Sequence, residues 1–257
     1  MHPLLRHKTL FLDLDGTMYR GDEVIPGAPL FIEALHTLQI PYYFLTNNAM
    51  RTHAQNREKM EAMGFQGLRD AQYFTSAMAA AAYVRHETKL QRVFYIGEDG
   101  MREALLEQGF TLCEEHVEAV FAGLDSNVTY EKLCRAFYHL QKGAVLIGTN
   151  PDRRLPHGDY FRIGNGAMVH MLEYCSEQTA WMIGKPHEPM LKEALRYAGI
   201  AKEDAVVIGD NLETDILFGI QNQVETIFVT SGVHDEHDAK RMDIQPDIIV
   251  HNLKELI

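Results

Sequence analysis

The chain has little of several things, and each shortage excludes a class of protein. Of its 257 residues only three are cysteines, Cys113, Cys134 and Cys175, and no two form a Cys-x-x-Cys pair. That removes a disulfide framework and a zinc motif. The three thiols, each in an apolar or helical pattern, read as reduced core residues. Positive charge is also scarce: 24 Lys and Arg against 36 Asp and Glu give a net charge of -12. Nucleic-acid binders carry basic patches, so no nucleic-acid partner is expected. No apolar run approaches the roughly 20 residues of a membrane helix, and residues 1–6 leave no room for a signal peptide before the first strand. These features predict a cytoplasmic protein with no membrane partner. There is no Gly-x4-Gly-Lys-[Ser/Thr] loop, internal repeat or disordered linker.

What the chain does have is Leu10-Phe11-Leu12-Asp13-Leu14-Asp15-Gly16-Thr17, an apolar strand ending on two aspartates and a glycine. A buried strand has no structural use for two carboxylates at its tip, because unpaired buried charge is strongly unfavourable. In open α/β sheets the carboxyl ends of the strands are where ligands bind. Two carboxylates there suit a hard cation, and one of them could attack as a nucleophile. The structural alternative, an aspartate capping a glycine turn, accounts for one of the pair and not for both.

Three further apolar strands end on polar sets. Pro41–Leu45 leads to Thr46-Asn47-Asn48, Ala180–Gly184 to Lys185-Pro186, and Ala205–Gly209 to Asp210-Asn211 with Glu213 and Asp215 beyond. A single parallel sheet would carry all four sets to one edge. Together they make an inventory for a magnesium ion and a phosphoryl group. Taken singly, Thr46 and Asn47 could be N-caps, Lys185 a solvated surface residue, and Asp215 a helix-dipole partner.

The four motifs, in order, resemble those of the haloacid dehalogenase (HAD) superfamily. Thr46-Asn47-Asn48, Gly148-Thr149-Asn150-Pro151-Asp152, Gly184-Lys185-Pro186 and Gly209-Asp210-Asn211 resemble its NagD and p-nitrophenyl phosphatase branch. One departure is Gly164-Asn165-Gly166-Ala167, where that branch has something closer to Gly-Ala-Gly-Ser, on the substrate side. The resemblance implies an α/β fold with a doubly wound, parallel-sheet, Rossmann-like core and an inserted α/β cap domain. It implies a Mg²⁺-dependent phosphatase for small phosphomonoesters, working through an aspartyl-phosphate. Asp13 would be the nucleophile and Asp15 the general acid and base. Mg²⁺ would be held by Asp13 and Asp210 side chains and the Asp15 carbonyl, with Asp215 acting through water or orienting the shell. Thr46 and Asn47 would grip the phosphoryl oxygens and Lys185 would neutralise their charge. A homodimer through the cap is also implied.

Alternation of strand and helix patterns along the whole chain agrees with an α/β sheet protein. Residues 14–24 read as a polar flap. Asp13 to Thr46 leaves room for a flap, a helix and a strand, whereas Thr46 to Lys185 holds far more than one βα unit. The surplus predicts a catalytic core of residues 1–88 and 179–257 and a cap of residues 89–178. Within the cap, residues 150–164 read as a loose segment in which Arg153 and Arg154 either steer an anionic substrate or are simply solvated. His234 to Asp238 reads as the acidic start of a helix. A dehalogenase is disfavoured because Asp15 is retained, and a phosphomutase because no cap fits between the first two motifs. The rival from another class is a catalytically retired phospho-ligand-binding or regulatory protein.

Overall fold

The computed structural model describes residues 2–5, 7–157 and 160–257. Met1, Arg6 and Gly158, parts of the expected lead-in and loose segment, lie outside them. In chain order the elements are β1 (Thr9–Leu12), β2 (Tyr19–Arg20), β3 (Glu23–Val24), α1 (Ala28–Thr37), β4 (Tyr42–Thr46), α2 (His53–Ala62), β5 (Tyr73–Thr75), α3 (Ser76–Glu87), β6 (Arg92–Ile96), α4 (Asp99–Glu107), β7 (Thr111–Leu112) and β8 (Ala119–Ala122). There follow α5 (Tyr130–Gln141), β9 (Val145–Gly148), β10 (Arg154–His157), β11 (Tyr160–Ile163), α6 (Asn165–Ser176), β12 (Trp181–Met182), α7 (Glu188–Ala198), β13 (Ala205–Gly209), α8 (Leu217–Asn222), β14 (Glu225–Val229), α9 (Glu236–Met242) and β15 (Ile248–Val250).

Two compact units result. The first holds residues 1–46, 54–74 and 194–257. Its sheet runs β15-β14-β13-β1-β4-β5, the doubly wound order of a Rossmann-like α/β core. β1 pairs in parallel with β13 on one side and β4 on the other, with Leu12 opposite both Ile208 and Phe44. Every residue of β1 and of β13 is buried, which is why these strands read as unbroken apolar runs rather than as alternation. Leu10, Leu12, Phe31, Leu35, Phe44, Val206 and Ile208 meet in one core cluster. The expected flap, 14–24, contains the small β2–β3 hairpin, with Arg20 opposite Glu23.

The second unit holds residues 47–53 and 75–193, and so takes in the expected insertion 89–178 together with its flanks. Its five-stranded sheet runs β12-β9-β8-β6-β7. The α5 and α6 faces close its core through Ala136, Leu140, Val169 and Leu172 against Phe94, Val120 and Leu146. α3 begins at its N-cap Thr75, whose hydroxyl accepts from the Met78 N–H, and its Ala79–Ala82 run is buried. The small side chains serve close packing, as expected.

Three expectations need correction. The strand before Lys185 does not join the first sheet: β12 pairs with β9, Trp181 opposite Ile147 and Met182 opposite Gly148, so one sheet edge does not carry all four polar sets. An apolar run specifies a strand, but its pairing partner is chosen by tertiary packing. The loose segment after Pro151 contains the antiparallel hairpin β10–β11, whose described side chains are largely exposed and so gave no apolar signal. The cysteines are free thiols, but Cys113 and Cys134 are half-buried and Cys175 is exposed, so none is a core residue.

Candidate active site

In the first unit the parallel register sets β13, β1 and β4 side by side, so their carboxyl ends place Asp210, Asp13 and Thr46 along one edge. Beyond Leu12, Asp13 remains tied to the sheet by its N–H to the Ile208 carbonyl at 2.9 Å. The chain then turns at Gly16, with φ at +93° and its N–H on the Tyr19 carbonyl at 2.7 Å. A Cβ at Gly16 would lie 2.2 Å from Asp210 Oδ2, so only glycine allows this approach. Thr46 is buried at the last position of β4.

Asp210 is fully buried and held from two sides. Thr17 Oγ1 donates to Oδ1 at 3.0 Å and the Val233 N–H donates to Oδ2 at 2.7 Å. Asp215 lies in a π turn, Leu212–Ile216, that starts at Asn211. The Asn211 N–H donates to Asp215 Oδ2 at 3.1 Å, and a Cβ at Gly209 would fall 2.3 Å from the Asp215 carboxyl carbon. A one-turn π segment in this place is a common device for aiming a functional side chain.

Asp13, Asp210 and Asp215 each present an oxygen, and the three lie within 4.8 Å of one another. Three carboxylates this close, two of them buried, repel strongly without a cation. Oxygens at about 2.1 Å from a hexacoordinate ion are about 3–4 Å apart, so this all-oxygen donor set fits a hard divalent cation. Asp15 is exposed, and its carboxylate is not among the three.

The second unit carries the other polar set. Asn47 Nδ2 donates both to Asp152 Oδ1 and to the Lys185 carbonyl, each at 3.0 Å. The Asn47 carbonyl in turn accepts from Ser76 Oγ at 2.6 Å and Asn150 Nδ2 at 2.7 Å. A Cβ at Gly184 would lie 2.7 Å from Asn47 Oδ1 and 2.4 Å from the Thr149 carbonyl. Lys185 is 2 % exposed, a burial that favours an anionic neighbour for its ammonium. Next in line, His187 has its pKa pushed down by burial, so its ring is held neutral.

Several contributors escaped the sequence reading. Thr17, Gly232, Val233, Ser76, Asn150 and Asp152 act on the motif residues by hydrogen bonds or close approach. Asp152 and Asn150 were visible only as family pattern, and Val233 acts through its backbone, which leaves no trace in residue type. The Gly164–Ala167 segment opens α6: Cβ atoms at Gly164 and Gly166 would strike the Asp152 and Pro151 carbonyls at 2.1 and 2.3 Å. Buried Asn165 donates to the Ala122 and Asn150 carbonyls and to Thr149 Oγ1. The glycines there are required by packing. Arg153 and Arg154 are exposed, with Arg154 stacked 4.3 Å from the Phe161 ring. His234 to Asp238 does open α9, through a reciprocal Asp235–Asp238 capping box.

Comparison with known proteins follows the same lines. A family model described as haloacid dehalogenase-like hydrolase matches residues 10–111, and a HAD-hydrolase-like model matches residues 182–256. An acid sugar phosphatase of Staphylococcus haemolyticus (strain JCSC1435) is 39% identical over 241 residues, covering 93% of this chain and 91% of that protein. A mutant thermostable NPPase from Geobacillus stearothermophilus superposes with a TM-score of 0.88 at 38% identity, covering 96% of each chain. NagD from E. coli K-12 does so with a TM-score of 0.89 at 30% identity, covering 96% of this chain and 97% of that one. With these motifs, this fold and these relatives, the chain belongs to the haloacid dehalogenase-like hydrolases, in the branch of NagD and the p-nitrophenyl phosphatases.

Proposed function

We propose that this protein is a Mg²⁺-dependent phosphatase that hydrolyses small phosphomonoesters by way of a phosphorylated Asp13. The observation that supports it is the convergence of Asp13, Asp210 and Asp215 at the sheet edge beside Thr46. Asp13 Oδ attacks phosphorus and the ester P–O bond breaks. Asp15 gives its proton to the leaving oxygen, then takes one from the water that attacks the aspartyl-phosphate. Asp13 and Asp210, with the Asp15 carbonyl, would hold Mg²⁺, and Asp215 would orient its shell. The bound ion would supply charge compensation for the carboxylates and the phosphoryl oxygens. Thr46 Oγ1 and Asn47 bind those oxygens and Lys185 neutralises them. Because both Asn47 side-chain donors are engaged by Asp152 and Lys185, Asn47 serves through its main-chain N–H.

Residues 89–178 act as the cap that selects substrate, and the core is 1–88 with 179–257. The relatives named acid sugar phosphatase make sugar phosphates the first class to test. Among the described residues no helix is long and apolar enough to cross a membrane. Three free thiols suit a reducing cytoplasm, and a homodimer through the cap and no nucleic-acid partner complete the reading. Purified protein should release phosphate from p-nitrophenyl phosphate and from hexose phosphates with Mg²⁺, and lose at least 10³-fold in rate in chelator. Full turnover in chelator, with no metal retained, would overturn the reading. The retired-scaffold alternative predicts phosphate-ester binding without turnover.

A further inference from the structure

The segment Thr230–His234, between β14 and α9, belongs to neither strand nor helix. The directions of its N–H and C=O groups are therefore set by whatever holds it. Much of that hold comes from the β2–β3 flap and the turn before it. Ser231 Oγ donates to the Gly16 carbonyl at 2.9 Å. Arg20 Nη2, on β2, donates to the carbonyls of Ser231 at 2.5 Å and Gly232 at 3.2 Å. The Gly232 carbonyl and the Val233 N–H belong to one peptide plane and point in opposite directions. A guanidinium that fixes the carbonyl thereby aims the N–H, and that N–H is the one on Asp210 Oδ2 at 2.7 Å. The fit is close: a Cβ at Gly232 would lie 1.8 Å from the same oxygen.

We propose that Arg20 is a positioning residue for the divalent-cation site. It pins the Gly232–Val233 peptide, so that the Val233 N–H holds the Asp210 carboxylate toward Asp13 and Asp215. The chain of atoms is Arg20 guanidinium, Gly232 carbonyl, Val233 N–H, Asp210. This deepens the reading of the three carboxylates as a cation site, and rests on it.

The sign of the effect separates positioning from simple charge. A cation near a cation site weakens binding through space, so removing Arg20 would tighten binding if only its field mattered. Positioning requires the opposite, because losing an outer-shell partner costs about 10–100-fold in metal affinity. Arg20→Lys keeps the charge, but its ammonium sits on a stem one bond shorter and lacks the rigid guanidinium plane that aims both Nη2 N–H groups at the Ser231 and Gly232 carbonyls.

The test is direct Mn²⁺ binding to metal-stripped, full-length protein, followed by the electron-spin-resonance signal of free Mn²⁺, with circular dichroism melting of each metal-free variant. The parent should bind Mn²⁺, and Arg20→Ala and Arg20→Lys should both raise the dissociation constant about fivefold or more. Ser231→Ala should weaken binding too, and the double variant with Arg20→Ala should fall short of the product of the two effects, since both act on one loop. KM for p-nitrophenyl phosphate at saturating Mg²⁺ should move less than twofold. Where Arg20→Ala melts too low to assay, Arg20→Lys carries the same comparison. A parent that takes up no Mn²⁺ would sink the cation site itself. A parent that binds while both Arg20 variants bind equally well, or more tightly, overturns the role of Arg20 alone.

Discussion

Asn47 and Asp152, 105 positions apart in the chain, are joined by a 3.0 Å hydrogen bond from Nδ2 to Oδ1. The same amide nitrogen holds the Lys185 carbonyl, so one small side chain ties three segments of the second unit together. Asp152→Asn keeps an acceptor oxygen and should cost under about threefold in kcat/KM. Asp152→Ala leaves an Asn47 donor without its partner in a buried setting and should cost about 10-fold or more, on the scale of one lost hydrogen bond to a charged group. Steady-state kinetics on p-nitrophenyl phosphate compares the two; equal rates would dissociate Asp152 from the site.

Charge repulsion among Asp13, Asp210 and Asp215 gives a second expectation, one that opposes stability to activity. Asp13→Asn removes one of three clustered charges, so the metal-free variant should be more stable by about 1 kcal/mol, a rise of about 2–4 °C in Tm. It should also lose at least 10³-fold in turnover and form no phosphoenzyme. Scanning calorimetry in chelator, beside acid-quench phosphate trapping, reads both effects. A lower metal-free Tm would show that the cluster is not under electrostatic stress.

Asp15 as general acid predicts a dependence on the leaving group. Asp15→Asn should slow alkyl phosphates about 10–10³-fold more than p-nitrophenyl phosphate, whose phenolate leaves without a proton. Matched losses on both substrates would exclude the role.

His139 supplies a pH signature of stability. It is buried on α5 beside the Phe94 ring, its Nε2 has no hydrogen-bond partner among the described residues, and burial pushes its pKa down. His187 is lowered for the same reason. The unfolded chain therefore takes up protons before the folded one. The stability these rings contribute is intact above their unfolded pKa of about 6.5, and is lost as pH falls through the depressed folded values. Tm should drop between pH 7.5 and 5, and His139→Phe should shrink that drop without abolishing it, because His187 remains. An unchanged slope in His139→Phe would remove His139 from the account.

The sequence by itself marked the apolar core strands and singled out the candidate site residues at their ends. β1, β4 and β13 are buried on both faces, so their apolar runs are visible without any partner, and a carboxylate at the end of such a run is costly enough to stand out. The family pattern followed from these motifs in order. Only the tertiary structure decided which strands pair, and so placed Asp13, Asp210 and Thr46 on one sheet while sending β12, just before Lys185, to β9 in the other. It alone produced the hairpin β10–β11, the bracing of Asn47 by Asp152, the bond from the Val233 N–H to Asp210, and the bond from Arg20 to the Gly232 carbonyl. Those contacts join residues far apart in the chain, often through peptide groups common to every residue. A local pattern of side chains carries no record of them.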